Sequence, residues 1–175
     1  DEIEEVKRRA RELLREATES SKEVAKALDE LLERDRDSSR RVKEDLKRLL
    51  EEVRRKLRKD KKTVEEVERR VKKLADESDK ISEENERRVD KLKKESEESL
   101  RRLRDKVRKL EKKLEDGKDL EKVLRDVEKL MREHHELNRE LLKRVEDSSR
   151  TSHELNKRLV DTVRKLVTDA AEKAK

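Results

Sequence analysis

The sequence predicts an all-α fold: a single-chain, up-down-up bundle of three long, nearly straight helices, forming one domain over residues 1–175. Three observations carry this expectation. The chain has no proline and one glycine in 175 residues, where average usage gives about 9 and about 12, and turns and sheets are built largely from those two residues. Its apolar residues, 29% of the total, fall in three stripes at helical spacing rather than at random. Two short polar segments separate the stripes, so the connections are short and consecutive helices run antiparallel.

Helix 1 is expected over about residues 2–59, on the stripe Ile3, Val6, Ala10, Leu13, Ala17, Val24, Leu28, Leu31, Val42, Leu46, Leu49, Val53 and Leu57. The stripe stops at Asp60-Lys61-Lys62-Thr63. Thr63-Val64-Glu65-Glu66 reads as a capping box, in which the Thr63 side chain accepts from the Glu66 amide while Glu66 reaches back. Helix 2, about 63–115, carries Val64, Val67, Val71, Leu74, Ile81, Val89, Leu92, Leu103, Val107, Leu110 and Leu114. It ends at Asp116-Gly117-Lys118-Asp119, where Gly117 suits a left-handed C′ position and Asp119 the next N-cap. Helix 3, about 119–173, carries Leu120, Val123, Val127, Leu130, Leu137, Leu141, Val145, Leu159, Val163, Leu166 and Ala170. Asp37-Ser38-Ser39 and Asp147-Ser148-Ser149 look like N-caps that would cut helices 1 and 3. The apolar phase runs through both without a break, which an inserted turn rarely preserves.

The stripes repeat every 18 residues. Leu13-Leu14, Leu31-Leu32 and Leu49-Leu50 are spaced this way, as are Val71, Val89 and Val107. Eighteen residues make five turns, so the stripe runs parallel to the helix axis, whereas a heptad pattern imposes a left-handed supercoil. At 1.5 Å per residue each helix is roughly 80 Å long.

Polar residues interrupt the stripes at the same period, and on a core face they cost stability unless they find partners. Helix 1 has Ser20-Ser21 and Ser38-Ser39, helix 2 has Ser96 and Ser78, and helix 3 has His135-Glu136-Leu137-Asn138 and His153-Glu154-Leu155-Asn156. Facing positions in antiparallel helices keep a constant total of residue numbers. Ser20 with Ser96 and Ser38 with Ser78 share one total, and Ser96 with Asn138 and Ser78 with Asn156 share another. Two buried hydrogen-bonded layers are therefore expected, one of Ser20, Ser21, Ser96, His135 and Asn138, the other of Ser38, Ser39, Ser78, His153 and Asn156. Ser99 is a candidate for the first; Ser82, Asn85, Ser148, Thr151 and Ser152 are candidates for the second. His134 lies on the central stripe and is an alternative buried member of the His134-His135 pair. Such layers set register, because a slipped alignment strands donors and acceptors at about 1–3 kcal/mol each.

With its Leu/Val stripes, Glu/Lys/Arg surfaces, Thr63 capping box, Asp116-Gly117 turn and duplicated His-Glu-Leu-Asn, the chain resembles computationally designed helical bundles of the straight, 18-residue-repeat kind with modular buried hydrogen-bond networks. The resemblance covers the whole length. It implies a scaffold with Ser, Thr, Asn and His as network residues and no natural ligand, substrate or cofactor. The absence of Tyr, Trp and Gln from the candidate networks departs from that pattern and leaves Ser and Asn with short reach.

Other functional classes find little support. The chain has no cysteine, which excludes a disulfide scaffold, a CxxC zinc site and a thiol nucleophile. A Ser–His hydrolase needs a pocket and an oxyanion hole, which a thin three-helix core does not offer. His135 and His153 stand about 27 Å apart along the axis and cannot share a metal ion, and His134 and His135 point about 100° apart. Charged residues make up 58% of the chain, with 54 Lys+Arg against 48 Asp+Glu, a net charge of +6 and a pI near 9.4. The two signs alternate and no aromatic residue exists, so neither a nucleic-acid patch nor a membrane-surface helix is expected. No run of more than two apolar residues occurs, so no signal peptide or membrane span is read and a soluble protein is expected.

The leading expectation is a structural scaffold that is not an enzyme and requires no partner. The rival is an interaction module, self-assembling or partner-binding, resting on Leu14, Leu32, Leu50, Leu124, Met131, Leu142, Val160 and Val167. These either pack within the core or present an apolar ridge to another copy. A buried neutral histidine would in addition loosen the bundle as the pH falls.

Overall fold

A computed structural model describes residues 2–117 and 119–173, apart from the side chains of Ala170, Ala171 and Lys173. Lys118 of the second turn and the Ala170 side chain of the third stripe lie outside the described residues. The chain is an all-α bundle of three helices, α1 (Glu2–Lys56), α2 (Lys61–Glu115) and α3 (Leu120–Lys173). Ser38-Ser39 and Ser148-Ser149 lie inside unbroken helix. Phase continuity therefore outweighs the local capping preference of these residues.

The first turn differs from the capping box expected at Thr63. Asp60 is the cap: its Oδ1 accepts from the Thr63 amide at 3.2 Å and its Oδ2 from the Thr63 hydroxyl at 2.7 Å. A carboxylate out-competes a hydroxyl for the free amides at a helix start because it also meets the positive end of the helix dipole. The same two bonds hold the Asp60 carboxyl below its ordinary value. Helix α2 thus begins two residues before the expected Thr63, and α1 ends three residues before 59 in a tightened turn. At the second turn Gly117 takes φ +72, and its amide bonds the Leu114 carbonyl at 3.2 Å. Asp119 Oδ1 accepts from the Glu121 amide at 3.2 Å, as expected of an N-cap.

Contacts group the residues into two compact units, one of residues 1–30 and 89–146, the other of 31–88 and 147–175. Each contains segments of all three helices. In unit 1 the stripes bury Val6, Ala10 and Ala17 of α1 against Leu103, Val107, Leu110 and Leu114 of α2 and Val123, Val127 and Met131 of α3. In unit 2, Val42, Leu46, Val53 and Leu57 pack on Val67, Val71 and Val163. Each buried Val, Leu or Met among these contributes about 1.5–3 kcal/mol relative to exposure, and the alanines contribute less. Met131 is buried, and Leu14, Leu32, Leu50, Leu124, Leu142, Val160 and Val167 are half-buried. Among the described residues no large apolar side chain is exposed, so these residues widen the core instead of forming a ridge.

Charged side chains close the seams unevenly. Between α1 and α2, unit 1 has Lys7–Glu115 at 4.0 Å and Lys93–Asp29, and unit 2 has Arg36–Glu86 at 3.2 Å, Lys43–Asp79 and Arg54–Glu68 at 2.9 Å. The described residues show one pair between α1 and α3, Arg9–Glu128 at 3.1 Å, and one between α2 and α3, Arg144–Glu95 at 3.1 Å. Exposed pairs of this kind are each worth about 0–1 kcal/mol.

Candidate functional site

The polar residues on the stripes gather into one buried set in each unit. In unit 1 the centre is His134, 3% exposed. Its Nδ1 lies 3.0 Å from Ser99 Oγ. Its Nε2 lies 3.2 Å from Asn138 Nδ2, 3.4 Å from Ser21 Oγ and 3.4 Å from the Ala17 carbonyl oxygen. Asn138 Nδ2 also donates to Ser20 Oγ at 2.8 Å. The tautomer that satisfies most partners carries its proton on Nδ1, donating to Ser99, and accepts at Nε2 from Asn138 and Ser21. Asn138 Oδ1 is left buried with no partner.

Ionising this ring would place an Nε2–H against the Asn138 amide hydrogens. Burial pushes His134 below the ordinary imidazole value and the neighbouring His135 adds to the push, while the Ala17 carbonyl, an acceptor for the charged ring, works the other way. The neutral form is the folded form.

Of the pair His134-His135, the structure buries His134 and exposes His135; His153 is exposed as well. The expected membership of His135 and His153 in the layers is therefore corrected. Each stands one residue past a core position, and a one-residue step rotates a side chain by about 100° out of the stripe. Ser96 is buried, but no hydrogen bond reaches it among the described residues. Its repeat equivalent Ser78 bonds Ser39 at 3.3 Å; in unit 1 the corresponding hydroxyl, Ser21, turns to the imidazole instead.

In unit 2, Asn156 Nδ2 donates to Ser38 Oγ at 2.7 Å, and Asn156 Oδ1 is buried without a partner. Asn85 and Ser152 are buried and Ser82 and Ser148 half-buried, and none of the four makes a side-chain hydrogen bond among the described residues. Thr151 is exposed and bonds the Asp147 carbonyl of its own helix at 2.9 Å, so it does not enlarge the layer as expected.

Sequence reasoning missed Asp35. It is 7% exposed, its Oδ2 is buried with no partner, and burial pushes its carboxyl from 3.8 up to about 6. A signal was present: Asp35 stands one repeat after Ala17, where the stripe is empty between Leu31 and Val42. One repeat after His134 stands Ser152. Unit 1 thus sets a large ring beside the smallest stripe residue, whereas unit 2 has a carboxyl at the alanine position and a small hydroxyl at the histidine position. The register fixed by Ser39–Ser78 and Arg36–Glu86 puts Asn85 and Ser82 of α2 at the level of Asp35.

Most of these bonds join one helix to another. Ser99 and His134 edge a shallow groove of about 330 Å³ between α2 and α3, but Ser99 lies in mid-helix, where the amides are already bonded and no oxyanion hole is available. Among the described residues no three His, Asp or Glu side chains converge to hold a metal ion, and no helix is long and apolar enough to cross a membrane. No family model, curated protein or solved structure matches the chain.

Proposed function

We propose that the protein is a structural scaffold of designed character, with no natural substrate, in which the buried Ser, Asn and His side chains specify how the helices align. One observation carries this reading. Asn138 donates to Ser20 and Asn156 to Ser38, both across 118 residues of chain, so the same α3-to-α1 bond is made at the same offset in both units. Apolar stripes with an 18-residue period are nearly degenerate to a slip of one repeat, and the polar groups make the slipped state costly by about 1–3 kcal/mol for each one orphaned. The reading assigns no catalytic step and no cofactor, and it invokes no nucleic acid or membrane.

The test replaces Ser20, Ser38 and Asp35 by alanine, Asn138 and Asn156 by leucine, and His134 by serine, the residue that stands one repeat on at Ser152. Spin labels at the exposed positions Lys26 and Arg139 report α1–α3 alignment in unit 1. The parent should give one narrow distance. The apolar variant should stay helical but show a second population shifted on the scale of one repeat, about 27 Å. A single unchanged distance in the variant would show that the polar groups do not set register.

A further inference from the structure

We propose that the protein pairs with a second copy of itself, the face of unit 1 between α1 and α3 meeting the corresponding face of unit 2 in the other copy. In unit 1 these helices border a groove of about 600 Å³, floored by Val6, Leu13, Leu120 and Leu124 and rimmed mostly by acids, with Glu5, Glu12, Glu16 and Glu121 among them. One repeat on, still in unit 1, α1 carries Glu23 and Glu30 at the positions of Glu5 and Glu12, while α3 carries Arg139 at the position of Glu121. Arg8 and Arg9 are the basic exceptions, and Arg9 is already engaged by Glu128.

Two repeats on, at 36 residues or ten whole turns, the equivalent positions fall in unit 2, and there the sign inverts. On α1, Glu5 gives way to Arg41 and Glu12 to Arg48. On α3, Glu121 gives way to Lys157 and Glu128 to Arg164. The exceptions invert too, from Arg8 to Glu44 and from Arg9 to Asp45; Glu2 gives way to the neutral Ser38, and Glu16, which maps to Glu52, keeps its sign.

A second observation separates this face from the others. The charges flanking the α1–α2 seam are consumed in five ion pairs within the chain. Among the described residues, Glu5, Glu12, Glu121, Arg41, Arg48 and Lys157 have exposed side chains and make no ion pair. A mostly acidic face in unit 1 and its charge-inverted counterpart in unit 2, with Arg41, Arg48 and Lys157 unpaired, fit each other in trans. Each copy carries both faces, so the contact forms between copies. With no large apolar side chain exposed among the described residues, the attraction is chiefly electrostatic and is screened by salt.

Light scattering tests the proposal. At about 10 mM salt, where the screening length is about 30 Å, the mass should exceed the 21.1 kDa of one chain. At about 1 M salt, where it is about 3 Å, the mass should return to one chain. The variants Glu5→Arg/Glu12→Arg and Arg41→Glu/Arg48→Glu alter exposed helix positions, and circular dichroism confirms that each folds. Each alone should be monomeric at low salt, an equimolar mixture of the two should associate, and the fourfold variant carrying all the changes should self-associate again. A parent that is monomeric at low salt overturns the proposal. So does association that is indifferent to salt or to the charge reversals.

Discussion

Replacing Asp35 by asparagine isolates the cost of the buried carboxylate in unit 2, because the amide keeps the shape and removes the charge. In the folded protein the carboxyl titrates at about 6 instead of 3.8 because burial disfavours the ion. The folded state therefore holds this proton more tightly than the unfolded chain does. Stability rises as the pH falls from 7 through 6 and levels off once the unfolded carboxyl is protonated too, below about 4. A displacement of about two pKa units corresponds to about 3 kcal/mol, at 1.36 kcal/mol per unit, and this is the stability that ionised Asp35 removes at neutral pH. D35N should recover most of it, raising the melting temperature by roughly 6–12 °C for a chain of this size.

Urea unfolding of parent and variant at pH 7.5 and pH 3.5 makes the assay specific. The other titrating carboxylates cancel in the difference, so the advantage of D35N should shrink from about 3 kcal/mol to under about 0.5 kcal/mol between the two conditions. An advantage of equal size at both pH values, or none at pH 7.5, would show that the carboxyl is solvated and that its unpartnered Oδ2 costs nothing.

The histidine has the opposite sign. His134 is held below its ordinary value, so its contribution to unit 1 is complete above the unfolded value of about 6.5 and is lost as the pH falls below it. Amide exchange around Ala17 and Ser21 should quicken between pH 7 and pH 5 beyond the intrinsic rate change in the parent but not in H134Q, and identical profiles would refute the role. Ser38→Ala removes the acceptor of a buried amide and should cost about 1–3 kcal/mol in urea titration; an unchanged midpoint would mean that water replaces the hydroxyl. Leu141→Ala, at a fully buried site, should cost about 2–5 kcal/mol, and a loss under 1 kcal/mol would indicate a loosely packed core. Gly117→Ala meets no atom within 4 Å, so only the strain of φ +72 remains, about 1 kcal/mol. G117N should cost less, and equal losses for the two would point to something other than backbone conformation.

The apolar stripes made the three helices and both turns readable, because a period of five whole turns leaves the buried azimuth unambiguous. Helix ends were harder to place, since Asp60 and Thr63 both cap well and the choice depends on which one reaches free amides. Constant residue totals located the heights of Ser20, Ser38 and both asparagines, but a height carries no azimuth. The duplicated His-Glu-Leu-Asn drew attention to His135 and His153, while the ring that enters unit 1 belongs to His134, which the repeat does not copy. Asp35 escaped because its type argues for the surface, although its position in the stripe argues for the core.

The exchange of residue sizes between the two sets bears on how a near-periodic molecule tells one end from the other. Sliding α3 along α1 by one repeat would drive the His134 ring into the space of Asp35, or leave Ser152 facing the gap beside Ala17. The Asn–Ser contacts, identical in both places, would tolerate either displacement at one of the two positions. The asymmetry of bulk supplies the notch that a uniform ruler lacks, so that each segment has one home.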